Sequence, residues 1–426
     1  MNKSLQFTSV DYFQKIRTIL SREARFLISM LYGGAAFLSF ILLAYFSNWK
    51  YGLEEAGVFL GFYSIVYSGG SFASLGLYSR APSWVIRDRD AVGRFDRKKR
   101  GLILSSLIAV TLLSCVALVL DTKFWLVGSL PSLFVLAGIL QVALLMLFCG
   151  ISNGYRKFHC SRLNFVIAPN FVAILFFVLF DLSLMHALLI ALMGCNVCHY
   201  AAIGILSKWQ TDVPLNEAGQ KVSAFNIKMI LPVSILSILP QVDIWVLCNF
   251  LNGSDVFIYA FYARFLMIPM FPIIAFNNVM YSTLPGLAYV NDFKSIERTF
   301  FGQYKRVRVV IMAASLCLPL VAFVAAQMVG VPFDWRAIGL LLGLVLGYGM
   351  ISLFPPYEVL VYAFEKQSGA FGVSIMLLLL TCLGIGALAM TSYFWVSPLV
   401  AAGCMLSMRM VYKSIYQTEK NLITTT

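Results

Sequence analysis

The sequence predicts an all-α polytopic membrane protein, with about twelve transmembrane helices in two six-helix bundles around a central cavity. Three observations carry this. The chain has 426 residues, 60% hydrophobic and 12% charged, with a mean hydropathy of +0.84; a water-facing surface of that size needs more charge. Apolar runs of about 20 residues, enough to cross a bilayer core of roughly 30 Å, recur from end to end. The runs do not alternate polar and apolar residues in segments of about 10, which excludes a β-barrel.

The elements follow in order. Residues 1–25 are polar and basic, with no early apolar stretch, and read as a cytoplasmic lead-in rather than a signal peptide. Spans are expected at 26–46, 56–79, 101–120, 124–150, 164–181, 184–206, 225–248, 256–281, 307–329, 336–356, 369–391 and 394–412. The first six form an N-terminal bundle over 26–206 and the last six a C-terminal bundle over 225–412. A cytoplasmic linker at 207–224 joins them, and 413–426 is a cytoplasmic tail.

Charge sets the orientation, because Lys and Arg stay on the cytoplasmic side. With both termini inside, 28 of the 32 cations fall on inner segments, the densest being the 80–100 and 282–308 loops. Lys50, Lys123 and Arg336 lie outside, and Arg264 lies within a span. The net charge of +13 is therefore topology beside anionic lipid, not a nucleic-acid surface. The longest outer loop, "SNWKYGLEE" at 47–55, is too short for a folded catalytic domain, so any chemistry lies between helices.

The two halves repeat faintly at an offset near 200. "GVFLGFYS" at 57–64 opens span two and "FIYAFYAR" at 257–264 opens span eight, so that Ser64 falls on Arg264. Six spans per half leave both halves with the same orientation, and the pseudo-axis then runs along the membrane normal. That layout suits alternating access around a cavity between the bundles.

Candidate site residues are the polar groups that apolar surroundings make costly. Arg264 stands in "FYARFLMIPMFP", about 12 Å from the outer end of span eight at 1.5 Å per residue, too deep to snorkel comfortably. An arginine there costs about 2.5–3.5 kcal/mol or more unless it faces protein or a wet cavity. Phe271, Ala275, Asn278 and Ser282 share its helical face as a mixed stripe, and Asn278 is read with it as a cavity residue. A structural ion pair is the alternative reading of Arg264, with Asp243 of span seven as the partner. Asp243 could instead carry a coupling proton. Glu358 follows the helix-breaking "FPP" of 354–356 and reads either as a second coupling candidate or as an interfacial acid near Lys366. Arg80, at the inner end of span two, is placed to meet an entering polar headgroup or to anchor the inner face. Asn164, Asn170, Gln141 and Asn196 either line the cavity or bond between helices.

Other patterns are set aside. The nine cysteines lie mostly in apolar runs and give no disulfide framework. "CNVCH" at 195–199 matches a haem-attachment pattern but lacks a second axial ligand and a domain to hold haem. "NGS" at 252–254 fits a glycosylation sequon on an outer loop. The small residues of "SGGSFASLG", 68–76, suit close helix packing. No cofactor, metal cluster, phosphate loop or nucleophile constellation is expected, and the chain reads as a non-enzyme.

The segments "EAGVFLGFYSIVYSGGSFASLGLYSRAPS" (55–83), "ISNGYRKF" (151–158) and "LPVSILSILPQVDIWVLCNFLNGSDVFIYAFYARFLMIP" (231–269) carry a resemblance. With twelve spans, short outer loops and a basic loop after span two, the chain resembles the Wzx-type polysaccharide transporters of the multidrug/oligosaccharidyl-lipid/polysaccharide exporter superfamily. Gly57 and Phe59 match the glycine-aromatic opening of that family's span two. Tyr259 and Ala260 match span eight, where Phe257 replaces the usual glycine. The resemblance implies two bundles forming a V-shaped cavity, and the flipping of an undecaprenyl-diphosphate-linked oligosaccharide across the bacterial inner membrane. Implied partners are that lipid-linked substrate, membrane lipids, and polysaccharide polymerase and chain-length machinery. Arg264 would then attract the diphosphate or acidic sugars. The competing reading is a cation-coupled multidrug exporter of the same superfamily, with Asp243 and Glu358 as its acidic groups.

Overall fold

The computed structural model describes residues 9–74, 97–121, 132–154, 167–206, 227–289, 293–364, 366–391 and 393–425. Among them every regular element is helical. Helix α1 (Ser9–Ala73) holds the first two expected spans in one run broken at Gly52, whose φ of 74° and ψ of 174° suit glycine. The chain folds back there. The rings of Phe40 and Tyr63, on either side of Gly52, stand 5.6 Å apart, where a straight helix would separate them by about 35 Å. Helices α2 (Arg97–Asp121), α3 (Ser132–Gly154), α4 (Ala168–Phe180) and α5 (Leu184–Leu206) complete the first group. A Cβ at Gly70 would run into Val142, so α1 and α3 approach as closely as the small-residue stretch requires.

Proline sets the breaks in the second group. Span seven comprises α6 (Ile227–Ile238), a 3₁₀ turn at Leu239–Gln241 and α7 (Val242–Leu247). Span eight comprises α8 (Gly253–Ala263), a 3₁₀ turn at Arg264–Leu266 and α9 (Met267–Tyr289). Pro240 and Pro269 each lack the N–H that would bond the carbonyl four residues back, and each ring crowds that carbonyl, so the helix tightens locally. Then come α10 (Phe293–Val329), α11 (Trp335–Ser352), α12 (Tyr357–Ala363), α13 (Phe371–Ala389) and α14 (Ser397–Thr425). Pro355 and Pro356 separate α11 from α12.

Nine described stretches are long and apolar enough to cross a membrane. The first, Phe26–Ala73, contains two crossings because of the Gly52 turn. Helix α4, at 13 residues, and the broken span seven fall below that length. With them, the helices follow the twelve expected spans in order.

One expectation needs correction. The basic segment 282–308 is mostly helix rather than loop, because α9 reaches Tyr289 and α10 begins at Phe293. Phe293, Ile296, Phe300, Tyr304, Val307 and Ile311 are buried at helical spacing, so the cations between them occupy the opposite face of a helix. Within the expected tail, α14 continues to Thr425. Lys420 pairs with Glu297 at 2.6 Å and Lys366 with Glu419 at 3.1 Å, tying it down. The expected linker 207–224 lies outside the described residues.

Packing between the two groups runs chiefly through α1, which meets α6, α7, α8, α9 and α10. The faint repeat reappears here as contact. Ser254 Oγ donates to Glu54 at 2.9 Å, and Arg264 donates to Ser64 at 2.9 Å; each pair is 200 residues apart. The contact advances along both helices in one direction, so the second arm of α1 and α8 run parallel. Equivalent positions of the two halves face each other, the contact pattern of a pseudo-two-fold axis between them.

Candidate functional site

Arg264 makes one of these contacts. It is 8% exposed and sits at the first residue of the 3₁₀ turn in span eight. Its Nη2 donates to Ser64 Oγ at 2.9 Å, and its Nη1 to Gln241 Oε1 at a long 3.5 Å. The guanidinium carbon lies 5.4 Å from the Phe40 ring centroid and 5.2 Å from that of Tyr63. Nε has no partner. Phe40, Tyr63 and Ser64 belong to α1, so this cation of the second group is held mainly by the first. Gln241 is in the 3₁₀ turn of span seven, so the two distorted turns meet at the guanidinium. Asn170 of α4 buttresses the rings: its Nδ2 donates to Ser39 Oγ at 2.8 Å and to Tyr63 Oη at 3.2 Å.

Among the described residues all direct partners of Arg264 are neutral. Desolvating a cation costs several kcal/mol. A hydrogen bond from a charged group returns about 1.5–3 kcal/mol, and a desolvated ring face about 2 kcal/mol. Among the described residues no carboxylate pairs with the guanidinium directly, and Asp243 is an acid that acts on it at longer range.

The expected ion pair with Asp243 does not form. Asp243 is buried in the first turn of α7, and its carboxylate accepts from Tyr259 Oη at 2.6 Å and from the Ile244 amide at 2.8 Å. Tyr259 stands on the same helix as Arg264 but more than a turn earlier, and it draws the carboxylate away from the guanidinium. Glu358 is buried, and its ion-pair partner is not Lys366. It faces Arg409 of α14 at 3.9 Å. Arg409 also donates to the carbonyls of Ile351 and Phe354, both at 2.7 Å, and Tyr304 donates to that of Ser352 at 2.7 Å. Together these groups add donors to the carbonyls around the Phe354–Pro356 break, where the helical ladder ends.

Asn278 lies within α9, but its side chain is outside the described residues, as are Arg80 and Asn164. Gln141 and Asn196 bond each other instead of opening onto a cavity: Asn196 Nδ2 donates to the Gln141 side-chain and main-chain oxygens at 2.6 and 2.9 Å, and Gln141 donates to Ser114 at 2.9 Å. In "CNVCH", His199 Nε2 is 2.7 Å from Ser152 Oγ, a helix-to-helix tie. Among the described residues no cluster of three or more His, Cys, Asp or Glu could hold a metal ion. Sequence reasoning missed Phe40, Tyr63, Glu54 and Arg409. Only Glu54 had a usable signal, in the 200-residue offset.

No family model and no curated protein matches the chain. Solved structures do. A MOP superfamily transporter from Pyrococcus furiosus aligns with a TM-score of 0.60 at 16% identity, covering 95% of each chain. The outward-facing and inward-facing forms of a multidrug resistance MATE family transporter of the same superfamily align at 0.56 and 0.57, both at 16% identity. They cover 93% and 91% of this chain and 96% of theirs. The chain has the MOP transporter fold. Its structural neighbours are transporters, and for the Pyrococcus protein a binding pocket of reversed polarity is taken to suggest a different function.

Proposed function

We propose that this chain is an alternating-access flippase for an anionic lipid-linked oligosaccharide, an undecaprenyl-diphosphate-linked O-antigen or similar repeat unit, in the bacterial inner membrane. The observation behind it is the buried Arg264 between the bundles, whose direct partners among the described residues are neutral. A diphosphate or acidic sugar supplies a direct counter-charge through charge-assisted hydrogen bonds. The headgroup passes between the bundles and the polyprenyl tail stays in the bilayer. Both termini face the cytoplasm on this reading, and Asp243, with Tyr259 beside it, is the coupling candidate for a proton or cation. Polymerase and chain-length machinery would take the product on the far side.

A second reading, a cation-coupled multidrug exporter, is favoured by the MATE neighbours. It must place a cationic drug beside Arg264, and the acids it would use are engaged, Asp243 by Tyr259 and Glu358 by Arg409. The deciding experiment is complementation of a flippase-null strain alongside drug-efflux assays. The flippase reading expects restored surface polysaccharide with wild type and none with Arg264→Ala at equal membrane levels. Undiminished polysaccharide with Arg264→Ala, or efflux of cationic drugs that depends on Asp243 without any complementation, would overturn it.

A further inference from the structure

The end of the molecule at the Gly52 turn, outer by charge asymmetry, is closed by a contact whose chemistry is unlike the rest of the interface. Glu54 follows the turn in α1. Its Oε1 accepts from the Gly253 amide at 3.0 Å, and its Oε2 accepts from the Ser254 amide at 3.0 Å and the Ser254 hydroxyl at 2.9 Å. Those are the opening amides of α8, where the helix macrodipole is positive and N–H groups lack internal partners. The two backbones also touch. A Cβ at Gly57 would collide with the Gly253 carbonyl, and one at Gly253 with the Glu54 carbonyl. Glycine at both positions is what lets the carboxylate reach the amides. Nearby, Asn48 Nδ2 donates to the Val329 carbonyl at 2.8 Å, again from the first group to the second.

We propose that Glu54 is a latch: its carboxylate, docked on the first turn of α8, holds the bundles together at the Gly52 end and must leave those amides each time that end opens. The site is exposed, so water can take over all three bonds when the bundles part. That makes the contact releasable, unlike a dry apolar seam. The three bonds favour the ionised carboxyl and hold it below the ordinary carboxylate range, chiefly through the Ser254 hydroxyl. The latch therefore stays charged at neutral pH and moves no coupling proton. The inference depends on the bundles separating, not on what they carry.

Cys248 provides a reporter that needs no cargo. Its sulfur lies 3.1 Å from where a Cβ on Gly61 would sit, inside the seam that the latch closes. Cys149, buried within the first bundle, is the control for general loosening. Purified full-length protein in lipid nanodiscs is labelled with maleimide, and each cysteine is followed by peptide mass spectrometry. Glu54→Ala should raise the Cys248 labelling rate about tenfold, the loss expected for charge-assisted bonds, with Cys149 unchanged. Ser254→Ala should raise it less, and Gly57→Ala should raise it by wedging the backbones apart. An unchanged Cys248 rate in Glu54→Ala overturns the latch, as does an equal rise at Cys149.

Discussion

At the scale of single residues, position 264 needs charge and geometry separately. Lysine retains the charge but loses the fork that reaches Ser64 and Gln241 together. Arg264→Lys should therefore export at a reduced rate while Arg264→Ala falls at least about tenfold, measured as surface polysaccharide per unit of membrane protein. Asp243 offers a separate test. Asp243→Asn still accepts from Tyr259 but cannot gain or lose a proton, so export should fail if coupling runs through it. Normal export by that variant at neutral pH would assign Asp243 to structure. Arg264 was legible in the sequence because a guanidinium in an apolar run has few physical explanations. Its surroundings were not, since Phe40 and Tyr63 are two aromatics among 55 Phe and Tyr residues, and only the Gly52 fold-back singles them out.

Among the elements, proline placement was readable and its consequences were partly so. The "FPP" break appears where expected, but the identity of Arg409 as its brace comes from α14, about fifty residues on. Arg409→Ala would leave Glu358 buried without its cation, while the Ile351 and Phe354 carbonyls would each keep only their second donor, the Phe354 amide and the Tyr304 hydroxyl. Breaking such a pair costs about 3–5 kcal/mol, so thermal unfolding in detergent should shift down by several degrees or more. The double variant Glu358→Gln with Arg409→Met should recover part of that loss, because it removes the uncompensated charge. No recovery would mean that the carbonyl bonds, not the charge, carry the stability. The 282–308 segment shows the opposite case. Its cations suggested a loop, yet the apolar residues between them already had a period near 3.6. Charge density described one face of a helix and hid the other.

For the molecule as a whole, span number and the two-bundle layout followed from apolar runs and their even division. The contacts between bundles did not, because a weak repeat states which positions correspond without stating which ones touch. The structure makes them touch at 54/254 and 64/264, which permits a direct test of motion. Cysteines introduced by Glu54→Cys and Ser254→Cys should join under mild oxidation, stop export, and release it when the bond is reduced. Export that continues with the crosslink fully formed would mean that the bundles need not separate there.

The meeting of residues 64 and 264 has one more consequence. On a two-fold axis a position confronts its own counterpart, so a feature present in both halves is doubled at a single point. Two arginines would put like charges face to face in oil, a juxtaposition that costs several kcal/mol. One half must give up the charge for the other to keep it, and Ser64 is small and neutral where its counterpart is large and cationic. Ser64→Arg should thus force the lobes apart or leave the protein unfolded in the membrane. Ser64→Asp should instead supply an internal anion, neutralise the guanidinium and shut cargo out.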